Sequence, residues 1–366
     1  MSEFHQWSHF NPVRITAGIG ALTRLRSLLP AKGDILLVTT EGFTKRGLTQ
    51  EISELIGLSR VTVFDSVTPN PELDDLDDAV ERFKPCTFSG IVGVGGGSVI
   101  DTSKVLGVTL PSKLSRPLDQ TLRDRASDAW DDVHLPVIAL PTTAGTGAEV
   151  TPFATVWDRT SRTKHSVAGD SVFPTHALLE PRLTLTLPSE ETLYSGVDAM
   201  SHALESLWNK NRTSVSSAYA VESLKLACEA LPRSIEAPWD LGARASMQEA
   251  SLLAGLAISD TRTAIAHAIS YPLTIHHGVP HGLACGFSLV AIIEHYLSSS
   301  PHSVFAEIMW QAHLTLKRLS LLPRLEKYVT ASDLRLLKAE MLKPGRSDNY
   351  EIEMADLEDV FCRIGD

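Results

Sequence analysis

The chain has 366 residues, enough for two domains of ordinary size, and its 43% hydrophobic and 21% charged residues are the composition of a folded globular protein. A formal charge of −11 argues against a nucleic-acid backbone as partner, since such proteins present a basic face. Cys86, Cys228, Cys285 and Cys362 are scattered with no Cys-x-x-Cys pair, which reads as free thiols in a reducing, cytoplasmic setting.

The opening MSEFHQWSHFNPVRITAG lacks the basic start and apolar run of a secretory signal. No apolar run reaches the ~18 residues a membrane helix needs, so no membrane contact is expected, and the sequon at Asn211 reads as a chance match. From there, short apolar strands alternate with helical patterns. DILLVTT (34–40), RVTVFDSV (60–67), GIVGVGGG (90–97) and LPVIALPTT (135–143) read as strands; GLTQEISELIGL (47–58), PELDDLDDAVERFKP (71–85) and SVIDTSKVLGVTL (98–110) read as helices. That order predicts a parallel sheet covered on both faces. After about residue 187 apolar residues recur at three- and four-residue spacing, which predicts an all-α domain. The expected division is 1–187 and 188–366. Ser189 is a candidate cap for the first helix of the second domain, with Glu190 and Glu191 in its first turn. The segment 111–134 is irregular.

Two loops carry the cofactor signal. VGVGGGSVIDTSK sets Gly95, Gly96, Gly97 and Ser98 between a strand and a helix, where the backbone can approach an anion closely and the helix start offers unpaired N–H groups. LPTTAGTGAEVTPFA adds the hydroxyls of Thr142, Thr143 and Thr146 after a neighbouring strand, with Gly145 and Gly147 as places of close backbone approach. Loops at the ends of adjacent parallel strands form the crevice in which α/β sheets bind cofactors. The first loop is neither the G-x-G-x-x-G fingerprint nor a P-loop.

The metal signal lies in the second half. GVDAMSHALE places Asp198 and His202 four residues apart, on one face of a helix. AHAISYPLTIHHGVPHG holds four histidines. Pro272 interrupts the helical stretch that contains His267, Gly278 and Pro280 break the chain again, and His281 starts another helix, so His267 and His281 can converge from two elements. With Asp198 and His202 they make a three-imidazole, one-carboxylate set suited to Fe(II) or Zn(II).

The motifs GGGSVIDTSK, PTTAGTGAEVT, LTLTLPSEETLYSGVDAMSHALES and AHAISYPL…VPHG occur together in an order and spacing that resemble the iron-containing (group III) alcohol dehydrogenase family, over most of residues 10–290. The resemblance implies an N-terminal dinucleotide-binding α/β domain with a parallel sheet, an all-α C-terminal domain of the group III alcohol dehydrogenase and dehydroquinate synthase-like fold, and a site in the cleft between them. It implies NAD(P)H-linked interconversion of an alcohol and an aldehyde or ketone, and a homodimer. Carried over by motif, the metal ligands are Asp198, His202, His267 and His281. The phosphate loop is Gly95 to Ser98 with Asp101 in support, and Thr142, Thr143, Thr146 and Lys164 hold the cofactor from the other side.

Three positions depart from the family pattern. Tyr271 stands where a proton-handling histidine is common, and an ordinary phenol pKa of ~10 makes it a poorer shuttle. Gly278 takes the place of the first histidine of the usual H-x-P-H-G; His277, with His276 just before Gly278, is the candidate to substitute in part. Thr40, followed by Glu41, occupies the place of an acidic residue that binds the ribose diol, which leaves NADP use open. DTRTAIAHAISYPLTIHHGVPHG resembles the branch that reduces phosphonoacetaldehyde to 2-hydroxyethylphosphonate, with Arg262 as a pairing site for an anionic head group. Sulfonated, carboxylated and neutral aldehydes compete as substrates. An NAD-using lyase of the dehydroquinate-synthase type and a nucleotide binder without turnover are the competing classes.

Overall fold

The computed structural model describes residues 6–123, 130, 134–161, 163–343, 345 and 347–352; part of the irregular segment 111–134, and Cys362, fall outside them. In its described residues the chain forms two compact units. One comprises Pro12–Thr143 and Ala148–Thr184; the other comprises Leu185–Asp366 together with Met1–Asn11 and Ala144–Gly147.

The first unit is built on six parallel strands: β1 (Arg14–Ala17), β2 (Asp34–Val38), β3 (Val61–Phe64), β4 (Phe88–Gly95), β5 (Val137–Pro141) and, after a two-stranded hairpin of β6 (Phe153–Asp158) and β7 (Thr163–Ala168), β8 (His176–Leu179). Their order is β1-β8-β5-β4-β2-β3. Helices α1 (Leu25–Leu28), α2 (Glu41–Lys45), α3 (Leu48–Ile56), α4 (Leu73–Phe83) and α5 (Gly97–Thr109) make the connections.

β2 shows why a continuous apolar run becomes a central strand. Ile35 and Leu37 pack with Leu25, Ile52 and Ile56 in one core, while Leu36 and Val38 pack with Val80, Phe83 and Leu106 in another. Alternate side chains of one strand thus supply both faces of the sheet. α4 turns Leu73, Leu76, Val80 and Phe83 inward at helical spacing, and the Glu72 carboxylate caps it by accepting from Asp74 N at 2.8 Å. The sequence reading places β2, β3, β4 and β5 within a few residues. It passes over β1 and β8, which are only four residues long, and over the hairpin.

The second unit is helical: α6 (Ser189–Leu207), α7 (Ser214–Glu236), α8 (Leu241–Thr261), α9 (Ile265–His277), α10 (His281–Gly286), α11 (Leu289–Ser299), α12 (Ala306–Leu319), α13 (Leu322–Leu325) and α14 (Ala331–Met341). α6 is buried along nearly its whole length from Thr192 to Leu207, which is why its sequence shows only a weak polar face.

Three expectations are corrected here. Pro272 does not interrupt its helix: α9 runs from Ile265 through Pro272 to His277. Pro272 is buried, and the single lost N–H bond to Ala268 O is outweighed by the packing around it. Ser189 does not cap α6; it is the first helical residue, Pro188 occupies the N-cap position, and no side chain caps the helix. One stretch, His281–Ser299, is long and apolar enough by length and composition to cross a membrane, but 72% of it is buried inside the protein. It is apolar because it is core.

Candidate metal centre and cofactor loops

Asp198, His202 and Glu205 follow one another at i, i+4 and i+7 on α6, so their side chains leave the same face of a buried helix. His267 enters from the first turn of α9 and His281 from the start of α10. The link between those two helices is made by Gly278, whose φ of +64° allows the left-handed C-cap, and by Pro280.

These elements bring three imidazoles onto one oxygen. The Nε2 atoms of His202, His267 and His281 lie 3.7, 3.6 and 3.8 Å from Asp198 Oδ1. Each separation taken singly fits an ion held at about 2.0–2.2 Å from both atoms, with that imidazole roughly 120° from the carboxylate oxygen. Asp198 Oδ1 and His267 Nε2 are buried and have no hydrogen-bond partner. The two atoms lie 3.6 Å apart; a proton on His267 or a cation between the two would satisfy both.

The outer contacts fix which nitrogen is free. Glu205 Oε2 takes the Nδ1–H of His267 at 2.5 Å, and Glu205 Oε1 takes the backbone N–H of the same residue at 3.1 Å. The carbonyl of Gly145 takes the Nδ1–H of His202 at 3.2 Å. Both acceptors demand a proton on Nδ1 and so leave Nε2 as a lone pair, the arrangement seen around metal-bound histidines. Gly145 can bring its carbonyl so near only because it lacks a side chain: a Cβ there would meet Ser195 O at 2.6 Å.

The electrostatics select charge as well as geometry. Asp198 and Glu205 are 3% and 0% exposed. With neutral imidazoles the centre holds two buried negative charges, which a divalent cation balances. Burial pushes the Asp198 carboxyl up, but His202, His281 and His267 outweigh it and hold the group well below the usual carboxylate range. Burial pushes His267 down, yet Cys285, Glu205 and Asp198 lift it well above an ordinary imidazole. The field that favours a proton on His267 favours a metal ion in the same place. His281 is the open side: its side chain is 35% exposed, against 3–6% for His202 and His267.

Tyr271 stands one turn after His267, with its ring 6.5 Å from that of His267 and stacked 6.3 Å from that of His281. His277 is not brought to the centre. It lies ten residues beyond His267 on the same helix, about 15 Å at the rise of an α-helix. His276 pairs with Glu340 at 3.0 Å. The helix that Pro272 was expected to end carries both histidines away from the metal donors. Arg262 is an exposed residue at the C-cap of α8, with φ 63° and ψ 178°, a region otherwise left to glycine. Its carbonyl accepts from Asn209 Nδ2 at 3.2 Å and Thr261 Oγ1 at 2.9 Å, which hold it there.

In the sheet unit, Gly96 is the N-cap of α5, and the N–H groups of Val99 and Ile100 both turn back to its carbonyl. The first N–H groups of the helix, on Gly97 and Ser98, have no acceptor inside it. A Cβ on Gly95 would sit 2.4 Å from Val99, so the turn is closed to any larger residue. Ser98 Oγ accepts from Asn70 N at 3.2 Å. Thr142 N donates to Gly95 O at 3.0 Å, and the Thr143 side chain lies against Gly96. Asp101 accepts from Thr155 N at 2.9 Å, and its carboxyl feels the charges of Lys104 and Lys164. Lys164, on β7, places its ammonium 5.5 Å over the Trp157 ring. Thr40 caps α2 without a side-chain bond. These residues belong to the sheet unit; Thr146 belongs to the segment Ala144–Gly147 of the helical unit.

Comparison with known proteins decides what these features amount to. Residues 12–181 match the family described as iron-containing alcohol dehydrogenase, and residues 192–360 match the C-terminal domain of the Fe-containing alcohol dehydrogenase family. The chain belongs to the iron-containing alcohol dehydrogenase family. It is 31% identical over 302 residues to the NAD-dependent methanol dehydrogenase of Bacillus methanolicus, covering 78% of this chain and 77% of that one. It is 28% identical over 285 residues to the sulfoacetaldehyde reductase of Bilophila wadsworthia, with 76% and 72% covered. Among solved structures, the sulfoacetaldehyde reductase of Bifidobacterium kashiwanohense in complex with NAD+ superposes with a TM-score of 0.86 at 29% identity, over 98% of both chains. This member of the family is therefore an NAD-linked, iron-type alcohol dehydrogenase, and the α/β and all-α units are the family's fold.

Glu205 and Cys285 have no role in the sequence reading, and Gly145 is read there, with Gly147, only as a place of close backbone approach. Glu205 was present in the quoted motif, and its place three residues after His202 on the same face was the available signal. Cys285 is one turn after His281. That the Gly145 carbonyl meets His202 left no trace in the sequence pattern.

Proposed function

We propose that this dehydrogenase reduces a small aldehyde with an anionic head group, with phosphonoacetaldehyde to 2-hydroxyethylphosphonate as the best candidate and sulfoacetaldehyde next to it. The domains are read as 1–187 for NAD(P) and 188–366 for the metal. The observation that carries the substrate class is the full-length likeness to a sulfoacetaldehyde reductase. Arg262, near the third ligand in sequence, is the residue read as pairing with the head group.

A bound Fe(II) or Zn(II) supplies Lewis acidity toward the carbonyl oxygen, and the reduced nicotinamide supplies the hydride. The residues of the chain do the positioning. Asp198, His202, His267 and His281 are read as the ligands, with Glu205 and Gly145 holding two of the imidazoles in register. Gly95, Gly96, Gly97 and Ser98 receive the pyrophosphate with Asp101 in support, and Thr142, Thr143, Thr146 and Lys164 bind the remainder of the cofactor. Tyr271 holds the proton that goes to the substrate oxygen. Thr40 at the ribose position leaves NADPH as an acceptable alternative to NADH, and the active species is read as a homodimer.

The test is a panel of phosphono-, sulfo- and carboxylated acetaldehydes beside propanal, run with NADH and with NADPH, on wild type and Arg262→Ala. Arg262→Ala is expected to raise KM for the phosphonate and sulfonate about tenfold, the loss of one charge-assisted pair, and to leave propanal nearly unchanged. Equal effects on charged and neutral aldehydes overturn the anionic-pocket reading.

A further inference from the structure

The metal centre contains more donors than the four imidazole and carboxylate ligands need. Donor atoms of Asp198, His267, His281 and Cys285 all lie within 4.8 Å of one another, and His202 is not a member of that set. Cys285 is fully buried. It stands one turn after His281 on α10, so the two side chains share a face. Its Sγ is 3.7 Å from His281 Nε2 and 3.9 Å from His281 Nδ1. Both contacts are within hydrogen-bond range of sulfur, and the thiol also has His267 and Ser270 as hydrogen-bond neighbours. A tetrahedral ion with Zn–S of about 2.3 Å and Zn–N of about 2.0–2.1 Å separates sulfur and nitrogen by roughly 3.6 Å, which is the spacing found.

We propose that Cys285 is a fifth donor of the centre, a soft ligand that exchanges with His202 and biases the site toward Zn(II). The inference rests on the metal-centre reading above. In one setting the ion takes Asp198, His202, His267 and His281. In the other, Cys285 Sγ would stand in place of His202 Nε2 as the fourth donor, and its thiol proton would pass to water. No electron is transferred. Thiolate suits Zn(II) and the nitrogen–oxygen set accepts Fe(II), so the cysteine shifts the preference between two ions that imidazole alone separates poorly. The two orphaned atoms, Asp198 Oδ1 and His267 Nε2, are common to both settings.

The experiment reconstitutes chelator-treated full-length protein with Co(II), which reports sulfur ligation through a thiolate-to-metal charge-transfer band in the near ultraviolet. Wild type is expected to bind one Co(II) per chain and show the band, and His202→Ala is expected to keep it. Cys285→Ser and Cys285→Ala should bind Co(II) without the band. In anaerobic competition between Zn(II) and Fe(II), the Zn:Fe ratio retained by Cys285→Ser should fall about tenfold, the scale of changes next to metal ligands. One bound Co(II), lost in His267→Ala, with no band in wild type overturns the inference and leaves the metal centre standing. A band that survives in both Cys285 variants overturns it likewise, by assigning the sulfur elsewhere. Absence of Co(II) binding, or binding unchanged in His267→Ala, overturns the metal-centre reading and this inference with it.

Discussion

Glu205 grips His267 twice, accepting the backbone N–H at 3.1 Å and the ring Nδ1–H at 2.5 Å. One carboxylate thereby fixes both where the histidine enters the centre and which of its nitrogens faces inward. Loss of such an outer contact usually costs 10–100-fold in metal affinity. Glu205→Gln can accept only one of the two bonds, and we expect its metal affinity to fall by about 10–100-fold while NADH binding is unchanged. Titration with Co(II) beside cofactor fluorescence checks this; metal affinity equal to wild type contradicts it.

Gly282 follows His281 at the start of α10. A Cβ there would lie 1.9 Å from the carbonyl oxygen of Tyr194 on α6, backbone that cannot swing aside. Gly282→Ala should push α10 away from α6, cost about 1–3 kcal/mol as overpacking does, and draw His281 out of the centre. Metal content per chain and the thermal midpoint should fall together. A variant that keeps a full complement of metal shows that α10 yields without disturbing His281.

Glu149 is buried, and burial raises its carboxyl to about 7, with the charge of Lys104 acting against the shift. The native state therefore binds a proton that the unfolded chain releases between pH 4.5 and 7. Stability from this group is complete below about pH 4.5 and declines as the pH rises through 7. Glu149→Gln should remove that decline, so the urea midpoints of wild type and variant separate between pH 5 and pH 8 in favour of the variant. Parallel profiles would show that Glu149 keeps its charge inside.

Arg123 meets Asp158 with a two-pronged pair, Nε to Oδ2 and NH2 to Oδ1, each at 2.9 Å, and also donates to Asp74 and Asp119. The hydrogen bond from Arg123 holds the Asp158 carboxyl far below its usual range. A depressed carboxylate contributes at every pH above its unfolded value of about 3.9 and loses the contribution as the pH falls below it. Arg123→Gln should lower stability by about 1.5–3 kcal/mol at pH 7, the scale of bonds to charged groups, with the gap narrowing only as the pH falls below about 4 toward the depressed folded value. Urea unfolding at pH 7 and at about pH 2 measures both; a gap that is constant with pH assigns the effect to packing.

How much of this was legible in the sequence depends on distance along the chain. The strands with continuous apolar runs, the glycine turn and the i, i+4 pair of Asp198 and His202 are local patterns, and local patterns survive in one dimension. β1 and β8 are four-residue strands made by their neighbours in the sheet, and no local periodicity marks them. Pro272 was expected to end its helix, because its cost is local while the burial that offsets it is not. For the contact of Gly145 O with His202, the glycine marks a close approach of the backbone, but the residue it approaches is fixed only by the fold. Cys285 shares a face with His281, and that much could be counted; that its Sγ lies within 4.8 Å of donor atoms of Asp198, His267 and His281 could not.

Two buried carboxylates facing three imidazoles have a consequence for the life of the protein before any substrate arrives. A chain that leaves the ribosome in a metal-starved cell must close its helical unit around unbalanced negative charge, and it closes less firmly than one that has captured its ion. If these side chains hold the ion, the supply of metal would set how many copies survive proteolysis as well as how fast each one turns over.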